Sequence, residues 1–326
     1  MITQTLIDTI DNFCFAHNLL PPGIRMVLGL SGGPDSVFLL HYLAQKAQEG
    51  KLSIVAAHLD HQWRPDSAKD VSFCEQETDK LNIPLFVGRA SELRLPLKFN
   101  GSQEELGRIM RRHFLEMVLA EQKADCIALA HQWEDQIETF FIRLLRGASV
   151  TGLRGMRPIH GQYIRPLLNT HRADILAYLN KHKLSYLIDP SNESPQFLRN
   201  RIRNQLLPVL HTIDSRFEPG IHKTIKHIAD VDECLEQYTA KALQKTITTY
   251  TDHQALNLRT FWELHPYMQK RVLIAWLCAS GVPFVASERW LAEIIRFLSQ
   301  PESKTHCVHP NWAIVKKGSI IYCKKE

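Results

Sequence analysis

Two short stretches of the chain carry residue types that could do chemistry. In the first, Ser31-Gly32-Gly33-Pro34-Asp35-Ser36 follows the apolar run 26–30 and leads into Val37, Phe38, Leu39, Leu40 and Leu43, an apolar helical face. Pro34 suits the first turn of a helix, where its missing N–H costs nothing and its fixed φ helps. Gly32 and Gly33 let backbone approach a ligand closely, and a helix start aims free N–H groups at it. With the hydroxyls of Ser31 and Ser36, such a turn binds an anion, and phosphate fits best. No lysine follows the glycines as in a Walker A loop, and the G-x-G-x-x-G spacing of dinucleotide folds is missing. Asp35 is the informative member. A carboxylate among phosphate donors repels the ligand unless a divalent cation lies between them, which points to Mg2+. The plain alternative is a glycine-rich helix start without a ligand.

The second stretch is Ala130-His131-Gln132-Trp133-Glu134-Asp135-Gln136-Ile137-Glu138. Ile137, Phe140, Phe141, Leu144 and Leu145 recur at helical spacing and are expected to face the core. Asp135 and Glu138 share a different face, with His131 just ahead of them. Acids at a helix start favour the helix dipole, which is the structural explanation. The chemical one is a carboxylate pair holding a cation, either Mg2+ or the ammonium group of an amine substrate. His58-Leu59-Asp60-His61-Gln62-Trp63-Arg64 crowds its ligand types too closely for an ordinary zinc pattern. It reads as the lining of a nucleotide pocket or as loop scaffolding. Glu104 and Arg108 by themselves read as a surface ion pair. Asp189-Pro190-Ser191-Asn192 is turn chemistry, whereas Arg199-Asn200-Arg201-Ile202-Arg203 is dense enough to suggest phosphate contact.

Elements must bring these groups together. Candidate strands at 26–30, 53–59, 85–87 and 126–130 alternate with helices at 35–49, 66–81, 103–121 and 134–146. That order predicts an α/β fold, a parallel sheet with helices on both faces and right-handed crossovers. Ligands of such sheets bind beyond the carboxyl ends of strands. The 31–36 turn, His58 to His61 and His131 all fall there and should converge. Past Asp214 the pattern becomes helical, at 218–244, 256–280 and 287–298, with a short hairpin around Lys317-Gly318. The expected organisation is therefore a catalytic domain of residues 1–214 and a smaller, mainly helical domain of residues 215–326.

Composition narrows the class. The 326 residues, 44% apolar and 22% charged, leave room for two ordinary soluble domains. No apolar run is long enough for a membrane span, and the acidic N-terminal stretch reads as an amphipathic helix rather than a signal peptide. Seven scattered cysteines without a C-x-x-C pair suggest reduced thiols in the cytoplasm. Between residues 140 and 216, ten Arg and two Lys oppose three Asp and one Glu, a net +8 in a chain of net +5. Arginine in such excess suits phosphate recognition.

The SGGPDS turn resembles the SGGxDS pyrophosphate loop of the ATP pyrophosphatases, and the motifs together resemble the tRNA(Ile)-lysidine synthetases. The likeness runs in order through HLDHQWRPDS, Glu104 and Arg108 as E-x-x-x-R, AHQWEDQIET, LLRGASVTGLRGM, IRPL, DPSN and FLRNRIR, over about residues 26–210. Trp63 stands where Leu is usual, Glu134 replaces the first Asp of A-H-x-x-D-D-x-x-E-T, and Arg112-His113 replaces an Arg-Tyr pair. The resemblance implies ATP-dependent joining of L-lysine to C2 of the wobble cytidine, position 34, of the isoleucine tRNA with a CAU anticodon. An adenylated tRNA is the implied intermediate, with ATP and Mg2+ as cofactors.

By the same resemblance Ser31, Gly32, Gly33, Pro34, Asp35 and Ser36 hold ATP, and Asp35 also serves the metal. Lysine lies against Arg108, Asp135, Glu138 and Asp189. Asp35, His131, Asp135 and Glu138 are the catalytic set. Arg199, Arg201 and Arg203 meet tRNA, as does the second domain. The oligomeric state stays open, a homodimer included. A tRNA 2-thiolase of the same superfamily is one alternative, against which Cys74 and Cys126 stand isolated. A non-catalytic, ATP-sensing RNA-binding module is another, and it leaves the three carboxylates without a shared purpose.

Overall fold

Apolar runs buried on both faces make a parallel sheet, and this one is built around the 24–29 strand. The computed structural model describes residues 2–94, 102–188, 197–250, 254–284 and 286–325. Its chain divides into two units, Met1–His227 and Ile228–Glu326. The first begins with α1 (Ile2–Ala16), β1 (Ile24–Gly29), α2 (Pro34–Gln48), β2 (Leu52–Asp60), α3 (Ala68–Lys80) and β3 (Leu85–Arg89). It continues with α4 (Gln103–Glu121), β4 (Cys126–Ala128), α5 (Trp133–Leu145), α6 (Val150–Leu153), β5 (Ile159–His160), β6 (Tyr163–Ile164) and α7 (Arg172–Lys181). Three helices close the series: α8 (Leu198–Arg201), α9 (Leu207–Ile213) and α10 (Phe217–Thr246), with a π-helical turn at Ile202–Leu206 between the first two.

The sheet order is β3-β2-β1-β4-β6-β5, parallel except for the β5–β6 pair. The chain leaves β1 toward β2 on one side and returns to β4 on the other. The carboxyl ends of β1 and β4 therefore flank a switch point, where a crevice opens without any help from side chains. Alternation along the strands divides the core in two. Leu28, Ile54 and Ala56 pack with Phe38, Leu39 and Leu43 of α2 and Ile175 and Leu179 of α7. Val27, Val55, Ala57 and Leu59 pack with Phe114, Leu115 and Val118 of α4. Helices thus cover both faces, as the sequence pattern predicts.

The second unit differs from the expectation. The boundary falls inside α10, later than the 214/215 position read from the sequence, because that helix runs unbroken from Phe217 to Thr246. Beyond it come β7 (Ile247–Thr249), β8 (Gln254–Asn257), α11 (Leu258–Trp262), α12 (Pro266–Ala279), α13 (Glu288–Ser299), β9 (Thr305–His309), β10 (Trp312–Lys317) and β11 (Ile320–Lys325). Helix still predominates in the unit, but a five-stranded antiparallel sheet, β7-β8-β11-β10-β9, which the sequence reading did not foresee beyond one hairpin, joins its helices. The segment read as one helix from 256 to 280 starts as β8, with Leu256 opposite Ile321. A strand partner more than sixty residues away overrides local helical spacing, and only the Lys317-Gly318 hairpin was visible in advance.

Of the two turn glycines, Gly32 is the one that backbone geometry demands. Its φ is +80°, and a Cβ would lie 2.7 Å from Leu187 Cδ1. Leu187 N also donates to Gly32 O at 2.9 Å, tying the turn to the segment that follows α7. Gly33 has φ −71°, and a Cβ there would meet only Ser31 Oγ at an ordinary 3.5 Å. Gly32→Ala should lower thermal stability by about 1–3 kcal/mol, whereas Gly33→Ala should melt with the natural chain. Equal melting of the two variants would remove the strain assigned to Gly32.

Candidate active site

The turn after β1 is pre-formed by its own hydroxyls. Ser36 Oγ donates to Gly33 O (2.9 Å) and accepts from Ser31 N (3.2 Å), while the Ser31 and Ser36 hydroxyls lie 3.0 Å apart. Gly33 is the N-cap of α2, Pro34 opens its first turn, and no side chain caps the helix start. Backbone N–H groups at this end are thus aimed at whatever occupies the crevice.

Across the switch point, α5 starts with a tightly bonded cap. Gln132 Oε1 accepts from Glu134 N (2.6 Å), and Asp135 Oδ2 accepts from Gln132 N (3.0 Å). Glu134, the family departure, accepts Arg172 N–H through both oxygens and so caps the start of α7. Its longer side chain gives it this structural job. The apolar stripe of α5 is buried at Ile137 and Phe140, but Leu144 and Leu145 are exposed, contrary to the expectation from spacing.

Glu138 also departs from its expected place. Its side chain is 0% exposed, Oε2 accepts from Arg199 Nε (2.7 Å), and Oε1 accepts from Arg203 Nε (2.6 Å). Both oxygens are therefore committed to guanidinium groups, and Glu138 is no exposed half of an ammonium pocket. The correction reaches the arginines too. Arg199 and Arg203, four apart, share one helix face and turn inward, with terminal nitrogens 3.4 and 3.9 Å from Asp135 Oδ1. Arg201 lies on the other face and is exposed. Of the three, it alone is fully exposed, the others being partly covered.

The groups lining the crevice are displaced from their ordinary protonation. Asp35 Oδ1 is buried without a hydrogen-bond partner, and burial, with Asp135 and Glu134 nearby, raises its carboxyl to about 6 despite Arg172. His131 Nδ1 is likewise buried and unpartnered, and burial holds the imidazole well below its usual range despite Asp135. An orphaned carboxylate oxygen beside a phosphate turn fits a divalent cation. Among the described residues no three acidic, His or Cys side chains gather as a metal cage.

Arg108 is exposed on α4, and its charge acts on His131. Asp189 lies outside the described residues. Sequence inspection missed Arg165 as a site group. It is buried, donates through Nη1 to Arg157 O (2.8 Å), and its Nε is unpartnered. Burial, then the charges of Arg108, Arg112 and Arg143, lowers its pKa to about 10. Burial, then the charges of Arg165, Arg112, Arg154 and Arg143, holds His160 below its usual range. The +8 charge of residues 140–216 was the available signal, but it could not say which arginines crowd together.

A parallel α/β sheet with a glycine-rich phosphate turn at its switch point defines a nucleotide-binding class of domain. Residues 6–210 match the family model of the PP-loop domain, and the chain belongs to that family. It is 35% identical over 282 residues to the tRNA(Ile)-lysidine synthase of Geobacillus kaustophilus, covering 82% of this chain and 59% of that protein. To the tRNA(Ile)-lysidine synthase of Bacillus cereus it is 31% identical over 308 residues, 92% of this chain and 65% of that one. The chain thus spans about three fifths of the length of these curated relatives. A solved structure, the U34-tRNA thiolase NcsA from Methanococcus maripaludis, superposes with a TM-score of 0.60 over 70% of this chain and 80% of its own. At 16% identity, that likeness is one of fold.

Two stability measurements probe the site. Glu138→Ala should destabilise the chain by about 3–5 kcal/mol, because two partly buried guanidinium groups lose their shared carboxylate; Arg201→Ala should cost under about 0.5 kcal/mol. Denaturant titration of both variants decides whether the clamp exists. For Asp35 the folded pKa of about 6 lies above the ordinary carboxylate range near 4, so its stabilising protonation is complete below about pH 4 and lost as pH rises through 6. Asp35→Asn should therefore gain about 1–3 kcal/mol over the natural chain at pH 8 and nothing below pH 4. A pH-independent difference would mean the carboxylate is not held in the raised state.

Proposed function

We propose that the chain is a tRNA(Ile)-lysidine synthetase. It joins the ε-amine of L-lysine to C2 of cytidine 34 in the isoleucine tRNA with a CAU anticodon, using ATP and Mg2+. The observation that carries this reading is the Asp35 carboxylate, one oxygen of which is buried and unpartnered, set between a phosphate turn and Asp135 across the switch point. Similarity over most of the chain to proteins named tRNA(Ile)-lysidine synthase supports the choice of reaction. The buried thiols of Cys74 and Cys126, pushed up to about 12 by burial, speak against sulfur transfer.

The chemistry divides into two steps. Cytidine O2 attacks the α-phosphorus of ATP and pyrophosphate leaves; the lysine amine then attacks C2 and O2 departs with AMP. Ser31, Gly32, Gly33 and Ser36 hold the phosphates with N–H and O–H groups, and Asp35 holds the cation. Bound there, Mg2+ offsets phosphate charge and makes the α-phosphorus more electrophilic. His131, neutral at pH 7, offers the crevice a hydrogen-bonding ring rather than a second cation. The attacking amine, with an ordinary pKa of about 10.4, must shed a proton. Asp135 faces it as the accessible carboxylate, while Glu138 acts through Arg199 and Arg203. Arg201 and the crowded group of Arg108, Arg143, Arg154 and Arg165 face the RNA phosphates.

Single-turnover reactions with labelled ATP, following RNA-bound AMP and lysidine separately, test the scheme. Asp35→Asn should release no pyrophosphate. Asp135→Asn should still adenylate the RNA but form lysidine about ten- to a hundredfold more slowly, as loss of one charged hydrogen bond predicts. Full pyrophosphate release by Asp35→Asn would remove the turn from the mechanism. Failure of adenylation in Asp135→Asn, relieved by extra Mg2+, would make Asp135 a metal ligand instead.

A further inference from the structure

One aromatic pair on the carboxyl edge of the sheet serves neither step. Past β2 the chain turns sharply: Asp60 Oδ1 accepts from Gln62 N (2.8 Å), Gln62 adopts φ +56°, and its Oε1 accepts from Ser91 N (3.1 Å). That turn stacks His61 on Trp63, with ring centroids 4.6 Å apart and planes 26° from parallel. The pair sits on Gly107 of α4, where a Cβ would lie 2.4 Å from Trp63 Cη2 and 3.4 Å from His61 Cε1. Arg111, one turn further along, lies with Nη2 3.3 Å from His61 Nε2. A glycine, a hydrogen-bonded turn and an arginine thus fix the indole, yet it remains 47% exposed.

The geometry points to Trp63, backed by His61, as a stacking platform for one unstacked base of the RNA; this rests on the function proposed above. A ring already immobilised loses little further freedom when a base stacks on it, and its flat face accepts any base. Arg111 brings a positive charge to its edge. Arg108, Arg111 and Arg112 follow Gly107 on α4, which suits a polyanion better than an apolar partner. Its position separates it from the phosphate turn. Near the end of the same strand, His58 meets Leu30 O (3.0 Å) and Cys74 Sγ (3.4 Å), on the α2 and α3 side of the sheet. Trp63 instead seats on α4, which covers the opposite face.

The test uses the full chain, Trp63→Leu and Trp63→Phe, with a CAU anticodon stem–loop RNA titrated at several salt concentrations and MgATP titrated separately. Trp63→Leu should bind the RNA about tenfold more weakly and Trp63→Phe within about threefold of the natural chain. Both should keep the natural salt slope, because no phosphate contact is lost, and the natural MgATP affinity. Unchanged RNA binding by Trp63→Leu, while the natural chain binds, overturns the platform alone. A shallower salt slope overturns it too, since the ring would then only arrange the arginines. Loss of MgATP affinity would make adenine the occupant. A natural chain that does not bind the RNA removes the proposed function, and the platform with it. If Trp63→Leu lowers the melting temperature, Trp63→Met, apolar and ringless, takes its place under the same criteria.

Discussion

A carboxylate with no exposed surface, held between two guanidinium groups, is the constraint on which this site depends. Glu138 binds Arg199 and Arg203 through one oxygen each. Removing three charges from water is costly, and their mutual attraction repays that cost only when the geometry is good. Here it is good, and the result is directional. The clamp joins α5 to the helical segment after residue 197 and sets the arginine tips beside Asp135. A pair of apolar side chains could have joined the same helices without pointing anything at the crevice.

The crevice itself is electrostatically unfinished. Asp35 is held toward its neutral form, His131 toward its neutral form, and Arg165 below its usual pKa by burial and other arginines. Perturbation in both directions within one cleft is a mark of a functional site. On the proposed function, each displacement is relieved by a ligand: a cation at Asp35, polyphosphate near the helix start, and RNA phosphates over the arginines. The neighbouring acids are also bonded into the scaffold, although burial raises Glu134 as well. Glu134 satisfies the start of α7, and Gln132 with Asp135 satisfies the start of α5. Adjacent acids on one helix therefore have separate duties, one capping a neighbouring helix and the others facing the crevice and its arginines.

Strand order does the remaining positioning. Because β1 lies between β2 and β4, the 31–36 turn and His131 must emerge on either side of one crevice. The alternation that sends Leu28 to one face and Val27 to the other also separates α2 from α4. The phosphate turn consequently belongs to one face and the Trp63 pair to the other, with the sheet edge between them.

By itself the sequence determined the first unit in outline: the α/β alternation, the phosphate turn, and the start of α5. These are local signals, since strand, turn and helix preferences act within a few residues and the motif lies inside that range. Tertiary structure decided the rest. The distance between Glu138 and Arg199 along the chain is 61 residues, so no spacing rule could show that they neutralise one another. The i, i+4 spacing of Arg199 and Arg203 did imply a shared face, but which face turned inward depended on where α5 lay. Leu144 and Leu145 keep a helical period yet remain in water, because periodicity names a face without supplying its cover. In the second unit, Leu256 became a strand residue through its pairing with Ile321. Hydrogen-bonded ladders and buried ion pairs are satisfied between segments, and their partners are chosen only when the chain has closed on itself.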